Sequence, residues 1–239
     1  MGRTESIQPR CLVRIAPERF SLLLARIVAT LVLTHLLLQG IHYRIHELPW
    51  LFTELFDVDV EESFPTWFSA FMLFVSSVLL LAIATRAHEG HGRFVAHWYG
   101  LALGFAILSM DEVVGLHETL NTVTDFSWTI PGAVVVSAVG LFYLRFVTHL
   151  PSRTRWLFLI AGVLYLGGCL GVELVADYYD DAYGRRGLGY QWLTALEEGL
   201  EMLGVVVFIR ALLDYLLLRD QLVVPVVGVV AQRTDSSGA

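Results

Sequence analysis

The sequence contains no lysine. All 16 basic residues are arginine, set against 23 acidic ones for a formal charge of −7, so no basic surface is large enough to hold nucleic acid and that partner is excluded. Charge of either sign is scarce, at 16% of residues where a soluble domain carries about 25%. Cysteine is nearly absent as well. Cys11 sits in an arginine-rich leader and Cys169 in an apolar run, positions too different for a disulfide or a thiolate metal site. No self-similar period is visible, which leaves an inverted-repeat transporter without support.

What the chain has in abundance is apolar length. Of 239 residues 56% are hydrophobic and the mean hydropathy is +0.63. Apolar windows at 20–40, 66–85, 95–119, 130–149, 155–177 and 192–218 each approach the roughly 20 residues that cross a bilayer as helix. The first is followed by Gln39, Gly40, Ile41 and His42, not by a small-residue cleavage site, and is expected to stay as an anchor. Pro65 opens the second, where its missing N–H costs nothing. Arginine collects before span one (Arg3, Arg10, Arg14, Arg19), after span two (Arg86, Arg93) and after span four (Arg153, Arg155), which marks the cytoplasmic side. The opposite side gathers Glu47, Glu54, Asp57, Asp59, Glu61 and Glu62. After span five Arg185 and Arg186 oppose Asp180 and Asp181, and Arg219 and Arg233 follow span six.

These patterns predict an all-α polytopic bundle of six spans with both termini cytoplasmic. Residues 1–19 form a cytoplasmic leader, 20–218 a single membrane domain with an outer interfacial segment at 41–64, and 219–239 a cytoplasmic tail. Trp50, Trp67, Trp98, Trp128, Trp156 and Trp192 all fall beside expected span ends, where indole rings prefer to lie.

Ionisable side chains at depth are costly and normally face the bundle interior. Span three carries Asp111, Glu112, His117 and Glu118, with Asp111 and Glu118 on one helical face; span five carries Glu173 and Asp177; span six carries Glu197, Glu198 and Glu201. Under the orientation above all three sets fall in the outer half, and His42 and His46 can hang over them from the end of span one. So many carboxylates cannot all ionise in a low-dielectric layer. A divalent metal (Zn, Mn or Fe), a proton or cation pathway, or mutual hydrogen bonding would each neutralise them. No glutamate has a histidine three residues on, so the Glu-x-x-His pairs of ferritin-like di-iron bundles are absent. His35, in mid span one, reads as a packing histidine, and Arg210 with Asp214 as an i, i+4 pair near the inner end. The run from Val58 to Glu62 reads as a solvated lip, beside Trp50, Leu51 and Phe52 in the interface.

The stretches Phe64-Pro65-Thr66-Trp67-Phe68-Ser69, Ser109-Met110-Asp111-Glu112 with Leu116-His117-Glu118, and Glu197-Glu198-Gly199-Leu200-Glu201-Met202-Leu203-Gly204 together resemble a family of uncharacterised bacterial multi-pass membrane proteins. That resemblance implies the bacterial inner membrane and names no activity. His42 and His46 also resemble the paired histidines of alkaline ceramidase-like membrane hydrolases, which hold zinc on transmembrane histidines; the third histidine and the seventh span of those enzymes are not found here. The functions in view are a metal-dependent hydrolase or oxidase on a lipid-like substrate, a proton- or cation-coupled transporter, and an accessory subunit of a larger membrane complex. No serine or cysteine nucleophile with an adjacent base names a reaction.

Overall fold

The computed structural model describes residues 16–115, 128–185 and 187–218. Among the described residues every regular element is helical. Helix α1 (Pro17–Arg44) begins on a proline whose fixed φ suits a first turn, and a short α2 (Trp50–Leu55) follows. Helix α3 (Phe64–Glu89) starts where the side chain of Ser63 accepts the Thr66 N–H at 3.3 Å. Helix α4 (Val95–Val114) ends at Gly115, whose φ of 61° is a left-handed cap and whose N–H reaches the Asp111 carbonyl at 2.7 Å. Helix α5 (Thr129–His149) and α6 (Ser152–Leu166) come next. A π-helical turn (Gly167–Val172) joins α6 to α7 (Glu173–Tyr183), and α8 (Leu188–Leu218) is the longest element.

Four of these are long and apolar enough to cross a membrane: α1, α3, α5 and the continuous run Ser152–Tyr183. Helices α4 and α8 are of similar length but carry acidic residues within them. Helix α8 is the axis of the bundle. It lies against α1, α3, α6, α7 and the π turn, and Met202, Val205, Ile209, Leu212 and Leu216 on it are almost fully buried. One apolar cluster joins it to α1 and α3 through Leu24, Val28, Met72 and Leu73; a second joins it to α3, α4 and α5 through Leu80, Ile83, Trp98 and Phe146.

Polar side chains fasten the helices. Ser77 and Ser109 donate to the carbonyls of Ala102 and Ala70 at 2.7 and 2.8 Å, tying α3 to α4 at two levels. Close approach of α6 and the π turn to α8 depends on two glycines. A Cβ at Gly204 would lie 2.8 Å from the Tyr165 nitrogen, and one at Gly168 would lie 2.7 Å from the Glu197 carbonyl oxygen. Helix α5 is the least covered, with Ile130, Val134, Val135, Leu141 and Phe142 all exposed. It is held where Trp128 meets Glu173, where Tyr143 donates to the His97 carbonyl at 3.1 Å, and where Phe146 enters the core.

One sequence expectation is corrected here. The lip after α2 is not simply solvated, since Val58 and Ser63 are buried and the segment folds against α1. Within the third apolar window Gly115 turns left-handed and α4 ends at Val114; residues 116–119, and with them the face expected to link Asp111 with Glu118, lie outside the described residues.

Candidate functional site

Helices α4, α7 and α8 bring their carboxylates to one end of the bundle. Glu201, on α8, is an electrostatic neighbour of Glu112 on α4, of Glu173 on α7, and of Glu197 one turn away on its own helix. Glu198 has Glu201, Glu112, Glu197 and Asp59 as electrostatic neighbours, and Glu197 has Glu173, Asp59 and Asp177. The heptad-like spacing 197, 201, 204 puts two glutamates and a glycine on the α8 face that meets α6 and the π turn, so the backbones come close where the charges gather.

Two neutral donors among the described residues meet this layer. The Tyr165 hydroxyl hydrogen-bonds the Glu201 carboxylate, and the Trp128 Nε1–H donates to Glu173 Oε1 at 2.7 Å. Buried Cys169 has Glu201, Glu173 and Glu197 as its charged neighbours. The π turn decides which way Glu173 faces, because one extra residue in a turn rotates everything after it relative to an α-helix. Among the described residues no three His, Cys, Asp or Glu side chains stand close enough to hold one ion.

Above this layer the loop between α2 and α3 is gripped by α1. Gln39 donates to Asp57 Oδ2 at 2.9 Å, and His35 Nδ1 lies 3.4 Å from Asp57 Oδ1 and accepts the Val58 N–H at 3.3 Å. His35 is 1% exposed. The Gln191 backbone lies beside the ring, and neither His35 Nε2 nor Gln191 Oε1 makes a hydrogen bond of good geometry among the described residues. Desolvation raises the Asp57 carboxyl above the ordinary range. Asp59 is exposed as a residue, yet the protein around its carboxyl desolvates it and, with Asp57, pushes it up to about 6 against the pull of Arg185. Arg185 itself donates to Asp180 Oδ2 at 2.8 Å.

Of the residues singled out in the sequence, Glu112, Glu173, Asp177, Glu197, Glu198 and Glu201 are brought together, and Asp111 is half-buried in the same last turn of α4. His117 and Glu118 lie outside the described residues. His42 closes the turn after α1 by accepting the Leu48 N–H at 3.2 Å, and His46 is exposed; neither is among the charged neighbours of the α8 carboxylates. Sequence reasoning put Asp57 and Asp59 on the outer side but missed that Asp59 neighbours Glu197 and Glu198, and it missed Tyr165 and Trp128 as donors. The acidic character of the loop was visible, but nothing in local spacing told that it folds down onto His35. Asp214, expected far away, sits at the other end of α8, where Arg153 and Arg210 meet it at 3.0 and 2.9 Å and Arg210 also reaches Glu18 at 2.6 Å.

An apolar helical bundle with an acidic layer built on its central helix is the class that fold and geometry define. Within that class the chain belongs to a family described as a domain of unknown function, DUF8692, whose profile matches residues 23–216. No curated protein and no solved structure matches it.

Proposed function

We propose that the chain is a bacterial inner-membrane protein in which all six long helical runs cross the bilayer, both termini are cytoplasmic, and the acidic layer in the outer half binds a cation. The observation that carries this reading is the meeting of Glu112, Glu173, Glu197, Glu198 and Glu201. Gathering several carboxylates in a low-dielectric layer raises the cost of ionising them all, and a bound cation or a proton relieves it. A divalent metal with oxygen donors, Mn, Fe or Zn, is the first candidate. Bound there it would supply a Lewis acid or an activated water for a lipid-like substrate entering from the side.

The acidic groups also form a row, from Asp57 and Asp59 through Glu197 to Glu201 and Tyr165. That row favours a second reading in which the same carboxylates pass protons or a small cation inward. Elemental analysis of protein purified without chelator separates the two. About one metal per chain, lost in Glu201→Ala and Glu112→Ala and kept in Asp214→Ala, is the expected result. Absence of metal, together with no rise in thermal stability on adding Mn, Fe or Zn, overturns metal binding; pH-driven cation uptake by vesicles carrying the protein then supports the second reading.

A further inference from the structure

The opposite end of the bundle holds a cavity of about 100 Å³ whose lining includes Arg93, Phe94, Trp98, Phe146, His149 and Tyr215. It opens where α3 ends, α4 begins and α5 gives way to α6. Its floor is aromatic: Trp98 and Phe146 are buried and meet edge to face at 4.8 Å, and Phe94 packs on Phe146 at 5.9 Å. Its mouth is cationic. The Arg93 guanidinium lies 5.5 Å over the Phe94 ring, and the His149 ring stands 5.2 Å from the same ring.

Two features of this mouth separate it from ordinary surface. Phe94 has a φ of 62°, a conformation that bulky residues rarely adopt, and it is this backbone that inserts the ring between Arg93 and His149. Arg93, like Arg86, Arg145 and Arg155, has no carboxylate partner among the described residues, and unlike those three it lies over an aromatic ring. A planar guanidinium fixed over a ring, beside an imidazole N–H and above an apolar floor, is built to receive an anion attached to something greasy.

We propose that this cavity holds the phosphate of an anionic phospholipid from the cytoplasmic leaflet. Arg93 receives two phosphate oxygens through its fork and His149 donates to a third, while the glycerol and the first methylenes lie on Phe94. The volume is about that of three waters, which suits the phosphate group and leaves the chains outside along the helices. The lining offers a free phosphate polar groups on some sides and apolar ones on others, a mixture that suits a phosphate joined to a glycerol better. The inference rests on the membrane-spanning reading above but not on cation binding in the acidic layer.

The test is a thermal shift, with native mass spectrometry alongside, on the full chain in a neutral detergent. Dioleoylphosphatidylglycerol, dioleoylphosphatidylcholine and inorganic phosphate are the three probes. Retention of about one phosphatidylglycerol per chain is expected, with apparent affinity falling about tenfold or more in the Arg93→Gln/His149→Gln double variant, the scale of losing charge-assisted hydrogen bonds. Arg93→Lys should keep part of it, and Arg86→Gln, in the neighbouring turn, all of it. Equal binding by the double variant, equal binding of phosphatidylcholine, or an equal shift with inorganic phosphate overturns the proposal. None of these outcomes touches metal content at Glu201, so the two sites fail or stand separately.

Discussion

His35 carries more structure than its place in an apolar helix suggested. Its ring accepts the Val58 N–H and borders Asp57, so it is a clamp on the loop between α2 and α3. Replacing it with leucine keeps the volume roughly and strands a buried N–H, a loss of about 1–3 kcal/mol; chemical unfolding in mild detergent checks it, and unchanged stability would refute the clamp. Asp59 gives the loop a pH dependence whose sign is fixed. Its carboxyl is pushed up to about 6 from an ordinary 3.8, so the folded state holds a proton that the unfolded chain has lost. The stabilisation is therefore complete below about pH 3.8 and is lost as pH rises through about 6. Asp59→Asn should flatten the decline of the thermal midpoint between about pH 4 and 7. An undiminished slope in that variant would assign the titration to another group, such as Asp57, whose carboxyl is also raised.

Tryptophan shows how far position alone can be trusted. Trp50, Trp67, Trp156 and Trp192 are well exposed near helix ends, as interfacial rings would be. Trp98 stands near an end as well and is 2% exposed, because Phe146, Phe158 and Tyr215 surround it. Hydropathy says where a helix ends and cannot say which way its last ring turns.

At the scale of elements, apolar length found the long helices because burial of whole runs leaves a signal in composition. The convergence of α7 and α8 was legible for the same reason, since Glu173 with Asp177 and Glu197 with Glu201 follow helical spacing. The π turn was not. Gly167, Gly168 and Gly171 fall inside an otherwise apolar stretch, and an extra residue in one turn arises from packing against α8, which no local pattern records. Gly168 and Gly204 make that packing testable. Alanine at Gly168 places a methyl 2.7 Å from the Glu197 carbonyl oxygen and 2.8 Å from Glu201 Cγ; forcing backbones apart at such a contact costs about 1–3 kcal/mol. Gly168→Ala should lower the thermal midpoint and weaken cation binding together, whereas Gly162→Ala, where a Cβ meets nothing within 4 Å, should do neither. Equal behaviour of the two variants would show that the close approach is not needed.

Across the whole molecule the charges are unevenly spread. Asp57, Asp59, Glu112, Glu173 and Glu197 gather at one end with Arg185 among them, and Arg93, Arg153 and Arg210 lie toward the other with Asp214 and Glu18. Single cysteines placed at Asp125 and at Arg153, in chains whose own two cysteines are serine, should label from opposite faces of intact cells and inverted vesicles. Labelling from one face would undo the six-span arrangement and the depth assigned to the acidic layer.

The burial of α8 carries a consequence for how the protein is made. Its acidic residues, with Arg210 and Asp214, make it a poor candidate to leave the translocon for lipid by itself. Five neighbours offer it a surface, and all five precede it in the chain. Synthesis order thus becomes assembly order: the earlier helices must stand together as a half-open cradle before the last one arrives. A glycosylation-reporter assay should find α8 inserting poorly alone and efficiently behind α1 to α7, with Glu198→Leu restoring part of its independence. Efficient insertion of the isolated wild-type helix would mean that no cradle is required.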